Sequence, residues 1–223
     1  MRSVLGSWQT FDLGYISQET TGDISPLLKV FILAFVAALA WSAIQPYSYI
    51  AWILDAIPAL AAFVVVMITH RYFPLTPLAN GLVLVLCLLI LVGAHYSFGK
   101  VPFFDWLKPL FGSERNNFDK LAHFFQGFSP AMVLREVFIR FDVFRDRRWL
   151  VAIVPSLCLA LSAAYELIEW AVAVISRDGA QDFLAIQGDL WDAQSDMALA
   201  VTGALISLAL LSPWHDRQID RIN

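Results

Sequence analysis

Within the apolar segments of this sequence, acidic and histidine residues form three pairs whose members are three or four residues apart. They are Asp119 and His123, Glu166 and Glu169, and Asp192 and Asp196. Residues at this spacing are neighbours on one face of a helix, so each pair predicts a polar patch on a helix surface. Carboxylates and imidazoles bind divalent cations and transfer protons. Because such groups are costly against lipid, we expect the three patches to line one polar chamber inside a helical bundle.

A divalent metal site is the first hypothesis for this chamber. Helical bundles hold divalent cations with inward-facing carboxylates and histidines that come from separate helices. A mixed set of carboxylates and imidazoles suits zinc, iron or manganese. The sequence contains neither an HExxH nor a CxxC motif, so the metal hypothesis depends on residue types and spacing. The candidate ligands are His95, His123, Glu166, Asp192 and Asp196.

Other polar residues near these candidates could orient the ligands instead of binding the metal. They are Asp119, Glu169, Asp189, Lys120 and Arg115. Without a metal, paired carboxylates could act as acid and base, and the candidate catalytic residues are Glu166, Glu169 and Asp192. The structural alternative is that the charges only lock helices together. In that case Lys120 would neutralise Asp119, and Arg115 would neutralise Asp192.

The composition identifies the class of protein that must position these groups. Of the 223 residues, 59% are hydrophobic and only 15% are charged, whereas soluble domains carry about 25% charged residues. This predicts an all-α polytopic transmembrane bundle with the lipid bilayer as its main partner. The net charge of −4 gives no indication of nucleic-acid binding. Cys87 and Cys158 lie within apolar runs and are expected to be core residues.

Six apolar segments are long enough, or nearly so, to cross a bilayer, which takes about 20 residues. They are 27–45, 50–69, 78–97, 119–139, 150–175 and 192–211. The predicted organisation is a cytoplasmic N-terminal segment (1–26), a six-helix transmembrane domain (27–212) and a cytoplasmic tail (213–223).

Lysine and arginine counts predict the orientation of this bundle, because cytoplasmic loops carry the excess of positive charge. Ten of the fifteen basic residues fall on the side that holds both termini, and five of these lie between Arg135 and Arg148. We therefore expect both termini inside the cell. All the paired groups then lie in the outer half of the membrane, and the cytoplasmic half should be largely apolar. His70 and His215, at the cytoplasmic boundary, are predicted to have no functional role, and Asp55 to be structural or to support a ligand.

Three functions fit a polar chamber that opens to the outer interface. The leading one is the binding of a polar envelope ligand, such as the head group of a lipid or envelope precursor, through a divalent metal. The second is hydrolysis or group transfer on lipid-linked substrates. The third is a proton- or ion-coupled transporter, which the apolar cytoplasmic half disfavours.

Several motifs resemble those of a known family. They are AHY at 94–96, RNNFDKLAHFFQGFSPA at 115–131, YELIEW at 165–170 and QGDLWDAQSDM at 187–197. In this order they resemble the YjdF-type bacterial inner-membrane proteins, a family of unknown function, and more distantly the VanZ-like membrane proteins. The resemblance implies a location in the bacterial inner membrane and no particular reaction. Asn117 stands where a histidine is commoner in the family, and Phe118 where a tyrosine is, which implies that neither position is essential.

Overall fold

A computed structural model of the protein describes residues 26–112, 114–176 and 187–222. Within these residues the chain is helical and has no strand, which confirms the predicted all-α class. The α-helices are α1 (Pro26–Ser42), α2 (Tyr49–Thr69), α3 (Pro77–Tyr96), α4 (Pro102–Phe111), α5 (Phe118–Arg140), α6 (Leu150–Ser176) and α7 (Asp192–Ile219). The short helix α4 was not among the predicted segments.

The six long helices overlap the six predicted spans. Of these, α2, α3, α6 and α7 are long and apolar enough to cross a membrane, while α1 is apolar but has only 17 residues. Helix α5 has 23 residues but is interrupted by charged side chains. Asp119, His123, Arg135 and Glu136 of α5 are buried against other helices. Helix α5 can therefore carry polar residues because it lies inside the bundle, where its charged side chains contact other helices instead of lipid.

Local sequence signals fix where several helices begin and end. Ser48 precedes α2 and its hydroxyl accepts a hydrogen bond from the amide of Ala51. Thr76 caps α3 in the same way and is followed by Pro77, which suits the first helical position because it has no amide to leave unsatisfied. Gly112 ends α4 with a φ of 59°, a left-handed conformation that glycine adopts without strain.

Helices α3 and α5 form the centre of the bundle. Helix α3 packs against α1, α2 and α5, and α5 packs against α6 and α7. The first side has a core that includes Phe31, Phe35 and Cys87, and the second has a core that includes Met132 and Cys158. Both cysteines are buried among apolar side chains, as the sequence predicts.

The closest helix contact is the one between α5 and α7. A Cβ atom on Gly127 would lie 1.7 Å from the carbonyl oxygen of Ala200, and one on Gly203 would lie 2.0 Å from that of Phe124. Each glycine therefore lets the backbone of the other helix approach. Small residues have this effect in membrane bundles, where van der Waals packing contributes much of helix association.

A second buried polar network lies at the end of the bundle opposite the predicted chamber. Glu136 accepts hydrogen bonds from the amide of Thr76 at 2.9 Å and its hydroxyl at 2.7 Å. It also lies 2.9 Å from Arg140 and 3.0 Å from Nε2 of His215. Next to this network, Arg135 pairs with Asp216 at 2.6 Å. These contacts join the start of α3 to the ends of α5 and α7.

This network corrects two expectations. The expectation that this half of the bundle is apolar was wrong, because Glu136 and His215 are both fully buried there. Helix α7 also continues beyond the predicted end at 211 to Ile219, so that part of the predicted tail packs into the bundle. The ionisable groups of this network come from α5 and α7, and their convergence becomes visible only when the helices are assembled.

Substitution of Gly127 by alanine should destabilise the protein, because the new methyl group would collide with backbone that cannot rotate away. We expect a cost of about 1–3 kcal/mol or more, measured as a lower melting temperature in detergent. Gly81→Ala is the matched control, since a Cβ at Gly81 meets nothing within 4 Å. Equal melting temperatures for the two variants would contradict the close approach of α5 and α7.

Substitution of Glu136 by alanine should also destabilise the fold, because it leaves Arg140, His215 and the amide of Thr76 buried without their acceptor. Breaking a buried ion pair from one side costs about 3–5 kcal/mol. Chemical denaturation in detergent, followed by circular dichroism, measures this loss. Asp146→Asn removes an exposed pair with Arg148 and should change nothing measurable. A Glu136→Ala protein as stable as this control would mean that the network does not hold the helices together.

Candidate functional site

The first part of the site is an ionic cluster between the start of α5 and the start of α7. Lys120 of α5 lies 2.7 Å from Asp192 and 3.0 Å from Asp196, and it donates to the hydroxyl of Ser195 at 2.6 Å. Arg115, just before α5, pairs with Asp119 and lies 2.6 Å from Asp192. The acids at the start of α7 are therefore held by cations from α5 and the segment before it.

The second part of the site lies one turn deeper, around His123. Nε2 of His123 is 3.8 Å from Oε1 of Glu166 on α6 and 3.9 Å from Oδ2 of Asp196 on α7. Nδ1 of His123 is 2.8 Å from Oε1 of Gln126. Oε1 of Glu166 is buried and has no hydrogen-bond partner. Three ligand-type side chains from three helices therefore converge on one small volume.

Nδ1 of His123 faces the side-chain oxygen of Gln126. A glutamine carbonyl oxygen can only accept a hydrogen bond, so this arrangement corresponds to the tautomer with the proton on Nδ1. The lone pair of the neutral imidazole is then on Nε2, the atom that faces Glu166 and Asp196. An outer partner that fixes the tautomer in this way is the usual companion of a metal-binding histidine.

The charges of the site do not balance. In their ionised forms, four carboxylates share two protein cations, and Asp189 at the rim adds a fifth acid. The four carboxylates are Asp119, Glu166, Asp192 and Asp196, and the cations are Arg115 and Lys120. An excess of at least two negative charges is costly in a poorly solvated position. A divalent cation, or two protons, would compensate it.

Arg115 lies outside the helices and illustrates how the acids act on their partners. Burial alone would disfavour its charge, but the nearby carboxylates of Asp119 and Asp192 outweigh burial and raise the pKa of the guanidinium. Arg115 therefore remains charged while it neutralises the outer acids. The charge excess is then concentrated deeper, beside His123.

Two sets of three residues bring ligand atoms within 4.8 Å of one another. One set is His123, Glu166 and Asp196, and the other is Asp119, Asp192 and Asp196. Lys120 and Arg115 already pair with the second set. In the first set only Asp196 has an ammonium contact, from Lys120. The first set also contains an imidazole with a free lone pair, so it offers the better ligands for a transition metal.

The structure does not bring His95 to this site. Nδ1 of His95 lies 3.1 Å from the backbone carbonyl of Ser42, and its ring packs on Trp41 and Tyr96 with centroid distances of 4.5 Å in both cases. Among the described residues it belongs to neither ligand set. The last turn of α3 directs this side chain toward α1, away from α5, which its position in the sequence does not reveal.

The other predicted supporting residues lie around the site. Asp189 is at the rim, 3.7 Å from Arg115 and 4.0 Å from Lys120, with 33% of its side chain exposed. Glu169 lies near Glu166, three residues earlier on α6, and near Asp55 of α2. Asp55 is only 1% exposed, and neither of its carboxylate oxygens has a hydrogen-bond partner.

Sequence reasoning missed two amides that organise the site. One is Gln126, which lies three residues after His123 on α5, and this spacing is the signal that could have predicted their contact. Asn116 donates to Asp105 of α4 and to the carbonyl of Val101, both at 2.9 Å, and exchanges backbone hydrogen bonds with the side chain of Gln187. Asn116 thereby ties α4 and the segment before α7 to the start of α5.

Helix α4 has the pattern of a helix that lies in the membrane interface. Phe103, Trp106 and Leu110 recur at helical spacing and are all strongly exposed, as in interfacial amphipathic helices. Asp105 and Lys108 form an ion pair at 2.7 Å on this helix. The hydrogen bond from Lys108 lowers the pKa of Asp105, which keeps this carboxylate charged at the surface.

Comparisons with known proteins agree with the membrane architecture. Residues 27–217 match the family described as "Predicted membrane protein (DUF2238)". The chain is 38% identical over 202 residues to the inner membrane protein YjdF of Escherichia coli (strain K12). The alignment covers 90% of this chain and 97% of that protein. No solved structure matches. The chain is therefore similar to the YjdF protein over nearly the whole length of that protein, and it belongs to the DUF2238 family of membrane proteins.

Proposed function

We propose that this protein holds a divalent metal ion between His123, Glu166 and Asp196 and uses it to bind a polar envelope ligand at the outer leaflet of the inner membrane. The observation that carries the proposal is the convergence of three ligand atoms from α5, α6 and α7 within 4.8 Å. The tautomer of His123, the unpartnered oxygen of Glu166 and the charge excess each support it independently.

Zinc, iron and manganese suit this donor set of one imidazole and two carboxylates. Bonds of about 2.0–2.2 Å place tetrahedral ligand atoms about 3.3 Å apart. The distances of 3.8 and 3.9 Å around Nε2 of His123 require only a small inward rotation of Glu166 and Asp196. The remaining coordination positions would be open to an oxyanion of a ligand, such as the phosphate of a head group.

Metal-dependent hydrolysis or group transfer on a lipid-linked substrate is the second candidate function. The position of Glu169 favours it, because this carboxylate is beside Glu166 but outside the ligand set. In its ionised form, a carboxylate in that position could accept the proton of a water molecule that the metal activates. Glu169 is then the general base, and Glu166 and Asp196 remain ligands.

The proposed orientation places both termini in the cytoplasm and the His123 site near the outer surface. It is supported by the excess of lysine and arginine on the side that contains the loop between α5 and α6. The exposed aromatic residues of α4, next to the site, are typical of a membrane interface.

Metal content is the direct test of the proposed site. We expect about one metal ion per chain when the protein is purified in detergent without chelator and analysed by mass spectrometry. His123→Ala and Asp196→Asn should lose the metal. Asp192→Asn should retain it, because Asp192 belongs to the set that Lys120 and Arg115 neutralise.

The same variants distinguish the two ligand sets. Metal that survives His123→Ala but is lost in Asp192→Asn would assign the site to Asp119, Asp192 and Asp196 instead. Wild-type protein without metal, even after incubation with zinc, iron and manganese salts, would overturn the proposal. Melting temperatures of all variants ensure that only folded protein is compared.

Reporter fusions test the orientation. Alkaline phosphatase fused after Gly112 should be active, because this segment follows α4 on the proposed outer side, and the same enzyme fused after Phe144 should be inactive. Green fluorescent protein at the two positions should give the opposite result. A reversed pattern for both reporters would place the His123 site at the cytoplasmic surface.

A further inference from the structure

An apolar cleft leads from the His123 site toward the side of the bundle. Its walls are formed by Pro58 and Ala62 of α2 and by Tyr165 of α6, and its floor by residues of α3 and α5 that include Ile90 and His123. The cleft has a volume of about 120 Å³ and is partly open. A water-sized group occupies roughly 30 Å³, so the volume of the cleft suits a short segment of one hydrocarbon chain.

The cleft opens sideways because α2 and α6 do not pack against each other. In the described parts of the chain, α2 packs on α3, and α6 packs on α5 and α7, with no extensive contact between α2 and α6. Both helices are long and apolar enough to span the membrane. Lipid chains in the bilayer therefore border the gap between these two helices.

A buried acid, Asp55, lies beside the cleft. Asp55 precedes Pro58 by three residues and Ala62 by seven, so it shares their face of α2. Both oxygens of Asp55 are buried without a partner, and Asp55 lies near Glu169 and Tyr165 of α6. In the described residues no lysine or arginine contacts Asp55. An unpartnered carboxylate beside an apolar cleft favours a ligand that carries both a hydrocarbon chain and a positive hydrogen-bond donor.

We propose that the cleft between α2 and α6 holds a segment of one hydrocarbon chain of a membrane lipid, and that an ammonium group on the head of that lipid pairs with Asp55. This inference rests on the proposed function in one respect: the phosphate of the same head group would lie at the proposed metal site. The chain and the ammonium are bound by protein groups alone. The protein therefore draws its ligand laterally from the bilayer.

Photolabelling in vesicles tests this inference. The full-length protein is reconstituted in phosphatidylethanolamine and phosphatidylglycerol with a trace of phosphatidylethanolamine that carries a diazirine on one acyl chain. After irradiation, mass spectrometry should locate the adducts on cleft residues such as Leu86 and Ile90. Ala62→Phe fills the cleft and should reduce these adducts several-fold. Ala61→Phe, the matched control on the exposed side of α2, should leave them unchanged.

The head group is tested with a second probe, phosphatidylglycerol with the same diazirine chain. We expect it to label the cleft several-fold less than the phosphatidylethanolamine probe, because it lacks the ammonium. Asp55→Asn should abolish this difference, whereas Asp189→Asn, at the exposed rim, should preserve it. Equal labelling by both probes in the wild-type protein would overturn the assignment of the ammonium.

Adducts spread evenly over the lipid-facing surfaces, with no concentration in the cleft, would overturn the inference as a whole. This map comes from the wild-type protein, so it decides the question even if Ala62→Phe does not fold. Metal analysis of the same samples separates the two proposals. A labelled cleft in metal-free protein contradicts the metal site alone, and a metal-loaded protein with evenly spread adducts contradicts the lipid site alone.

Discussion

The close contact of α5 and α7 is the constraint on which the rest of the structure depends. Gly127 and Gly203 allow each helix to approach the backbone of the other. Within a bilayer, burial of apolar side chains gives little advantage over contact with lipid, so this kind of packing is a main source of helix association. Because both helices run in the same direction, the contact also aligns their polar ends. It brings Lys120 beside Asp192 and, at the other end, Glu136 beside His215.

The two polar ends satisfy their charges differently. At the end near Thr76, Glu136 is surrounded by donors from three elements. That network is complete, and its role is to hold α3, α5 and α7 together. At the other end the acids exceed the cations, and oxygens of Glu166 and Asp55 have no partner. Polar groups without partners are costly inside a membrane. We therefore expect such groups to be retained where they serve a function.

The polar site and the apolar cleft share His123 and Gln126, and Tyr165 of the cleft directly precedes Glu166 of the site. A metal ion would act on the charged part of a ligand, and the cleft would hold its hydrophobic part. The combination suits an amphiphile better than an ion alone. This favours binding or processing of a lipid over simple ion transport. An ion pathway would need acids at both ends of the bundle, and among the described residues the network at the opposite end has no comparable set of unpartnered acids.

The sequence alone was sufficient for the class of protein, the approximate position of the six long helices and the polar patches on α5, α6 and α7. The apolar composition predicted the membrane bundle, and the pairs three or four residues apart predicted which side chains share a face. These features are local, because the pitch of a helix relates neighbouring residues. The motifs around His123 and Asp192 were also enough to predict the family.

Only the tertiary structure decided which faces meet. It turned His95 toward α1, paired Gln126 with His123, buried Glu136 with His215 and left a cleft between α2 and α6. The sequence could not determine these contacts, because they depend on the rotation and relative height of helices that are far apart along the chain. Both quantities are set by backbone contacts such as that of Gly127 with Ala200, and residue spacing within a single helix carries no information about them.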